Sequence, residues 1–305
     1  NVEADVLAGP LLARKAAEAG GVYSLAYGDQ PALICELVDW ARAAGFEVVA
    51  AGKGTRYRPI FHQSTPDTVW DYYGLSAEHA RANNLNPQMF NSFIDGTKSA
   101  IEMAAVANAT GLEPAPGGRP SPPASVQELP RVLKPREDGG VLPRRGMVEV
   151  VSSERHEGGA VPDNLRWGVY VTIAADSDYV RRCFREYGLA TDESGNYAAM
   201  WRPFHLIGLE LGISVASAAL RREPTGAATG WRADVVATAK TDLAAGDMLD
   251  GEGGYKVWGR LMPAQDSLAL GGLPIGLAHG VRLKRAIRAG EAVRRGDVEI
   301  DEAEP

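Results

Sequence analysis

The chain of 305 residues is poor in the features that assign a protein quickly. It has two cysteines, Cys35 and Cys183, each inside a predicted helix and without metal-ligand spacing. Both are read as reduced core residues of a cytosolic protein rather than as a disulfide. The longest apolar stretch, His205 to Leu220, is interrupted by Glu210 and is shorter than the roughly 20 residues of a membrane helix. A formal charge of -7 with scattered Lys and Arg argues against a nucleic-acid surface, which needs clustered cations. The amino end shows no leader running from basic through apolar to small residues, so a cytoplasmic location is expected. Ser24, Ser64 and Ser92 lack a GxSxG elbow, which argues against serine-nucleophile hydrolysis. His205 followed by Glu210 lacks the HExxH spacing of a zinc site, and Gly52-Lys53 is no Walker loop because position 47 is Glu. A GxGxxG turn opening a helix, the mark of a dinucleotide pyrophosphate site, is also missing.

What is present starts with Val22 to Gly54. The apolar run Val22–Tyr27 predicts a strand, Gly28, Asp29 and Pro31 a turn and helix start, and Ile34, Leu37, Val38 and Ala41 repeat at helical spacing up to Gly45. Glu47 to Ala51 predicts a second, parallel strand, which places Gly52, Lys53, Gly54 and Thr55 beyond its carboxyl end, where open α/β sheets bind ligands. Asn1 to Gly9 reads as the tail of a strand and Pro10 to Gly20 as a helix. The chain is therefore expected to start in mid-motif, its first residue being Asn rather than Met.

Further on, Asn86 to Gly111 predicts a long helix of small residues. Glu113 to Gly146 carries eight prolines and reads as a long loop or lid. Strands at Met147–Val151 and Trp167–Ala174, a helix at Asp176–Tyr187 and a buried helix at Pro203–Leu220 make an α+β domain. From Asp234 on, short strands punctuated by Gly and Asp predict a small β-rich module in which a turn closing on Gly-Asp occurs twice. The expected fold class is α/β: a partial Rossmann-like parallel sheet in residues 1–58, a central catalytic α+β domain in 59–232 and a β-rich module in 233–305.

Several residues are candidates for chemistry. Lys53, between two glycines, can reach a phosphate or polarise a carbonyl, or else is an exposed turn lysine. Glu3 and Asp5, two apart on the presumed strand, can divide acid and base roles or hold a cation, or else are solvated. Asp95, Lys98 and Glu102, at helical spacing, can form a proton-transfer set or an ordinary ion-pair ladder. His62 and His205 are the histidines expected to be partly buried, with structural roles favoured for both.

The segments NVEADVLAGP, AYGDQPALICELVDWARAAGFEVVAAGKGT, NSFIDGTKSAIEMA, RPFHLIGLELGIS and AKTDLAAGDMLDGEGGYKVWG together resemble the SAF-domain, homoserine-dehydrogenase-like oxidoreductases. Within that group the chain is most similar to the deoxyxylulose 5-phosphate reductoisomerase-like enzymes. The resemblance implies an amino-terminal NAD(P)-binding Rossmann domain whose first part is missing here, a catalytic domain and a SAF-like β module. It implies reduction by NADPH or NADH of a phosphorylated sugar-derived carbonyl, with skeletal rearrangement in the isomerising members. Lys53 or Lys98 would then neutralise the substrate anion, and Glu3, Asp5, Asp95 or Glu102 would manage protons or a divalent metal such as Mg or Mn. Asn1, Glu3, Gly28 and Asp29 would lie at the cofactor. The expected partner is a small anionic substrate within a homo-oligomer, without nucleic acid or membrane. A homoserine-dehydrogenase-like reductase of another small hydroxy or oxo acid, and a non-catalytic SAF-type binding protein, are the alternatives.

Overall fold

The computed structural model describes residues 2–118 and 120–300. In chain order the helices are α1 Val2–Glu18, α2 Gln30–Ala43, α3 Val69–Tyr73, α4 Ala77–Ala82, α5 Pro87–Ile94, α6 Thr97–Thr110, α7 Leu129–Val132, α8 Asp178–Glu186, α9 Leu211–Ala216 and α10 Ala264–Leu270. The strands are β1 Glu47–Thr55, β2 Met147–Ser152, β3 Val169–Ala174, β4 Ala190–Thr191, β5 Tyr197–Arg202, β6 Ala233–Ala239, β7 Met248–Asp250, β8 Val257–Pro263, β9 His279–Leu283 and β10 Val298–Glu299. The fold is α/β. Two compact units interleave in sequence: Asn1–Arg58 with Glu102–Ala233, and Pro59–Ile101 with Asp234–Pro305.

The first unit is built on a five-stranded sheet of order β2-β1-β3-β5-β4. β1 runs parallel to β2 and antiparallel to β3, so the sheet is mixed. Helix α2 packs on β1 and β3, and its apolar stripe of Leu33, Ile34 and Val38 is buried. The expected strand at Val22–Tyr27 does not join this sheet. Its backbone is extended, but Leu25 donates its amide to Gly226 O (2.7 Å) and Tyr27 donates to Ser214 Oγ (2.8 Å). The parallel neighbour of β1 therefore comes from β2, far downstream, and residues 22–54 do not make a Rossmann-type parallel unit.

The amino end also differs from expectation. Val2–Glu18 is a single helix, rich in Ala and Leu and carrying Glu3 and Asp5 in its first turn, where the helix dipole favours acids. These formers outweigh the interior Pro10. Residues 203–221 are not a buried helix: α9 is short, and Ile207, Leu209, Val215 and Leu220 are 60–83% exposed.

In the second unit, α3 and α5 pack around Phe61, Val69 and Ile94 with Trp70, Tyr72, Tyr73 and Phe90 against them. The unit also holds α4, α10 and short strands: a sheet of order β10-β9-β7 and the pair β6-β8. The twice-occurring Gly-Asp close is visible as geometry. Ala244 N donates to Asp247 Oδ2 (2.9 Å) and Arg294 N to Asp297 Oδ2 (2.9 Å), each three residues apart. The long helix expected over residues 86–111 is two helices. Gly96, at φ 89°, turns the chain between them, and the preceding Asp95 accepts the Thr97 amide on Oδ1 (2.9 Å).

Candidate active site

Lys53 lies inside β1, not in a turn beyond it. The two glycines beside it explain both its place and its direction. A Cβ on Gly52 would overlap the Glu149 carbonyl oxygen, and one on Gly54 would overlap that of Leu165. The flanking positions are glycine because backbone presses on them, not because they cradle a phosphate. Side chains alternate across a strand, so Lys53 projects to the opposite face. There its ammonium pairs with Glu102 of α6, the two side chains being 7% and 2% exposed.

Gln30 completes this arrangement from the first turn of α2. Its carboxamide donates Nε2 to Asp29 Oδ1 (2.9 Å) and accepts the Lys53 ammonium on Oε1 (3.2 Å). Asp29 is the cap of α2, accepting the Gln30 amide (3.0 Å). Asp29, Gln30, Lys53 and Glu102 thus form one buried chain of polar contacts, all four residues being buried.

The turn before α2 is closed over by its neighbours. Gly28 has φ 97°, and a Cβ there would stand 2.7 Å from Leu206 O and 3.0 Å from Glu210 Cβ. Glu210 pairs with Arg202, whose guanidinium lies over the rings of Phe204 and Tyr27 at 5.0 and 6.0 Å. Burial, helped by the bond from its hydroxyl to Glu36, pushes the Tyr27 phenol up to about 12, so it stays protonated at neutral pH. Gly28 and Asp29, expected at a cofactor, are committed to the Leu206 backbone and to the α2 cap respectively. Asn1, expected with them, lies outside the described residues.

The second unit holds a different lysine pair. Lys240 Nζ is 2.8 Å from Asp95 Oδ2 and donates to Ser64 O (2.8 Å) and Gly254 O (2.7 Å). Lys53 has two hydrogen-bond partners among the described residues, Glu102 and Gln30. Both lysines are therefore buried cations paired with one carboxylate and held by further oxygen acceptors.

The remaining candidates separate. Asp95, Lys98 and Glu102 do not share one helix face, because Asp95 lies at the end of α5 and only Lys98 and Glu102 belong to α6. Lys98 is half-buried. Glu3 is half-buried in α1, and Asp5 is buried beside Gly9 and Ala228, where burial raises its pKa against the smaller opposing effect of Tyr23. His62 stacks on Trp258 with ring centroids 3.8 Å apart and bonds Asp95 O through Nδ1 (2.7 Å), while His205 Nδ1 bonds Trp167 O (2.8 Å). Burial pushes the Cys35 thiol up to about 12, as suits an inert core residue. Among the described residues no group of three or more His, Cys, Asp or Glu is placed to hold a metal ion, so the expected Mg or Mn has no cluster to bind. No described helix is long and apolar enough to cross a membrane.

The first unit is thus an α/β unit with a buried lysine–carboxylate pair at its sheet. The family comparison makes this specific: the catalytic domain of the DRL oxidoreductases matches residues 28–211, more than half of the chain, and the chain belongs to that family. The match takes in Asp29, Gln30, Lys53 and Glu102 and ends before Lys240. No curated protein matches the chain in sequence. The protein is an oxidoreductase. Such a family implies a nicotinamide cofactor, yet no described segment offers a glycine-rich strand-turn-helix for its pyrophosphate: β1 is entered from α2 and runs on into Arg56, and the loop from β3 to α8 contains no glycine. The described residues do not fit that part of the cofactor.

Proposed function

We propose that the chain is the catalytic part of an NAD(P)H-dependent reductase of a small, phosphorylated, sugar-derived carbonyl compound, with deoxyxylulose 5-phosphate as its sharpest form. The observation that carries the reading is the buried Lys53–Glu102 pair with Gln30 beside it, inside the segment that matches the DRL catalytic domain. A carbonyl being reduced gathers negative charge on its oxygen, and a fixed ammonium in a site this dry stabilises that charge strongly. Glu102 pairs with the lysine and Gln30 limits where it can point. The β-rich segment 233–305 is a SAF-like module in this reading. The test is NADPH oxidation with deoxyxylulose 5-phosphate by the full-length protein and by Lys53→Met. Turnover lost in the variant supports the reading; unchanged turnover refutes it. If the wild type turns over other hydroxy or oxo acids but not this substrate, the reductoisomerase form falls and the reductase form stands.

A further inference from the structure

Gln30 sits where a helix start, a strand and a second helix meet, and its two amide atoms are both used. It follows Asp29 at the first helical position of α2, and its side chain is turned back so that Nε2 bonds the same Asp29 Oδ1 that caps the helix (2.9 Å) while Oε1 takes the Lys53 ammonium (3.2 Å). Gln30 is 6% exposed and Asp29 7%. A glutamine side chain has several rotatable bonds, and here both ends of its amide are pinned, so its acceptor oxygen cannot follow Lys53 if the lysine moves. The polarity of the amide also cannot be reversed: the end facing Asp29 must donate, because an ionised carboxylate only accepts, which leaves the oxygen for Lys53. The Asp29 cap thereby dictates which atom of Gln30 meets the ammonium.

We infer that Gln30 is the positioning residue of Lys53, the group that fixes the orientation of its ammonium beside Glu102. The inference rests on the catalytic reading of Lys53 and extends it to Gln30, which is not among the residues to which the sequence assigns chemistry. The Glu102 contact alone leaves the ammonium free to turn about the N–O direction; a second contact from a different element removes that freedom. Glu102 from α6 and Asp29 at the α2 cap lie on this side, and Lys98, four residues before Glu102, shares its helix face. Glu149 of β2 is in register with Gly52, and so lies on the other face of the sheet.

Two substitutions test this in the full-length protein: Gln30→Met removes the acceptor at similar volume, and Gln30→Glu keeps an acceptor but makes it anionic. With deoxyxylulose 5-phosphate and NADPH, Gln30→Met is expected to lower kcat by about tenfold to a hundredfold, the size of a small misplacement of a reacting group. KM should change by less than about threefold. The second readout needs no turnover. Trace acetylation with acetic anhydride, followed by mass spectrometry of the peptide containing Lys53, gives the pH at which its amine becomes reactive. That midpoint should fall in Gln30→Met and rise in Gln30→Glu, because the acceptor favours the charged form. If both variants keep kcat within about twofold and leave the midpoint unmoved, the positioning role is wrong even where melting temperatures fall. Lys53→Met is measured alongside. Its retaining full turnover removes the catalytic reading itself, whereas its inactivity beside normal Gln30 variants removes only the role of Gln30.

Discussion

Replacing Lys53 by methionine keeps the length of the side chain and removes its charge, leaving the Glu102 carboxylate, 2% exposed, without its ammonium. Breaking a buried pair from one side costs about 3–5 kcal/mol, because the remaining charge stays in a poorly solvating place. For a unit of about 150–250 residues each kcal/mol lowers Tm by about 2–4 °C, so the single variant should melt roughly 6–20 °C below the parent. Removing Glu102 as well takes away the stranded charge, and an apolar pair of similar volume is often as stable as the ion pair it replaces. Lys53→Met with Glu102→Leu should therefore regain most of the lost Tm. Turnover should not return if Lys53 acts as proposed, since its ammonium is gone in both variants. Thermal melts and urea titrations of the three proteins, with NADPH oxidation on the same samples, give the whole cycle. A loss below about 1 kcal/mol in the single variant would mean the pair is solvated, as exposed pairs are. Recovery of activity together with stability in the double variant would refute any chemical role for Lys53.

Gly52→Ala places a Cβ on the Glu149 carbonyl oxygen and should cost about 3 kcal/mol or more, read as a lower urea midpoint. Lys240→Met strands the buried Asp95 carboxylate and should destabilise by about 3–5 kcal/mol, measured by thermal melting. Asp5→Asn should stabilise the protein at neutral pH. The folded-state pKa of Asp5 is raised by burial, so its contribution is fully present below the unfolded value near 3.8 and is lost as pH rises through the folded value. The Tm advantage of the asparagine variant should accordingly grow from acid to neutral pH, and an equal Tm at both would disprove the burial argument.

Much of the site was legible in the sequence, and what was not has identifiable physical causes. Lys53 stands out because Gly-Lys-Gly follows an apolar run, and Glu102 because it belongs to a helix of small residues. Their pairing could not be read, since it depends on β1 continuing through the glycines rather than ending before them. The glycines suggested a turn; backbone crowding by Glu149 and Leu165 was the actual reason for them. Asp95 was misplaced on the Lys98 and Glu102 face, although Asp-Gly is a turn signal that argues for the break at Gly96. Gln30 and Lys240 lie in segments that carry the resemblance but were given no role, because their partners Lys53 and Asp95 are brought to them only by tertiary structure. Val22–Tyr27 has the composition of a strand, but its amides are taken by Gly226 and Ser214, a choice that local pattern does not record.

The bare face of β1 also bears on how this site can change over generations. Every point substitution at a glycine codon that alters the residue adds a side chain or stops the chain, so positions 52 and 54 have no neutral neighbours. Lys53 between them is constrained instead by its partners Glu102 and Gln30. The lysine can therefore be exchanged together with Glu102 while its flanks stay frozen. A relative that keeps both glycines but carries a neutral residue between them would have preserved the strand and given up the chemistry, and the state of position 102 would show whether the loss is old enough for the carboxylate to have gone too.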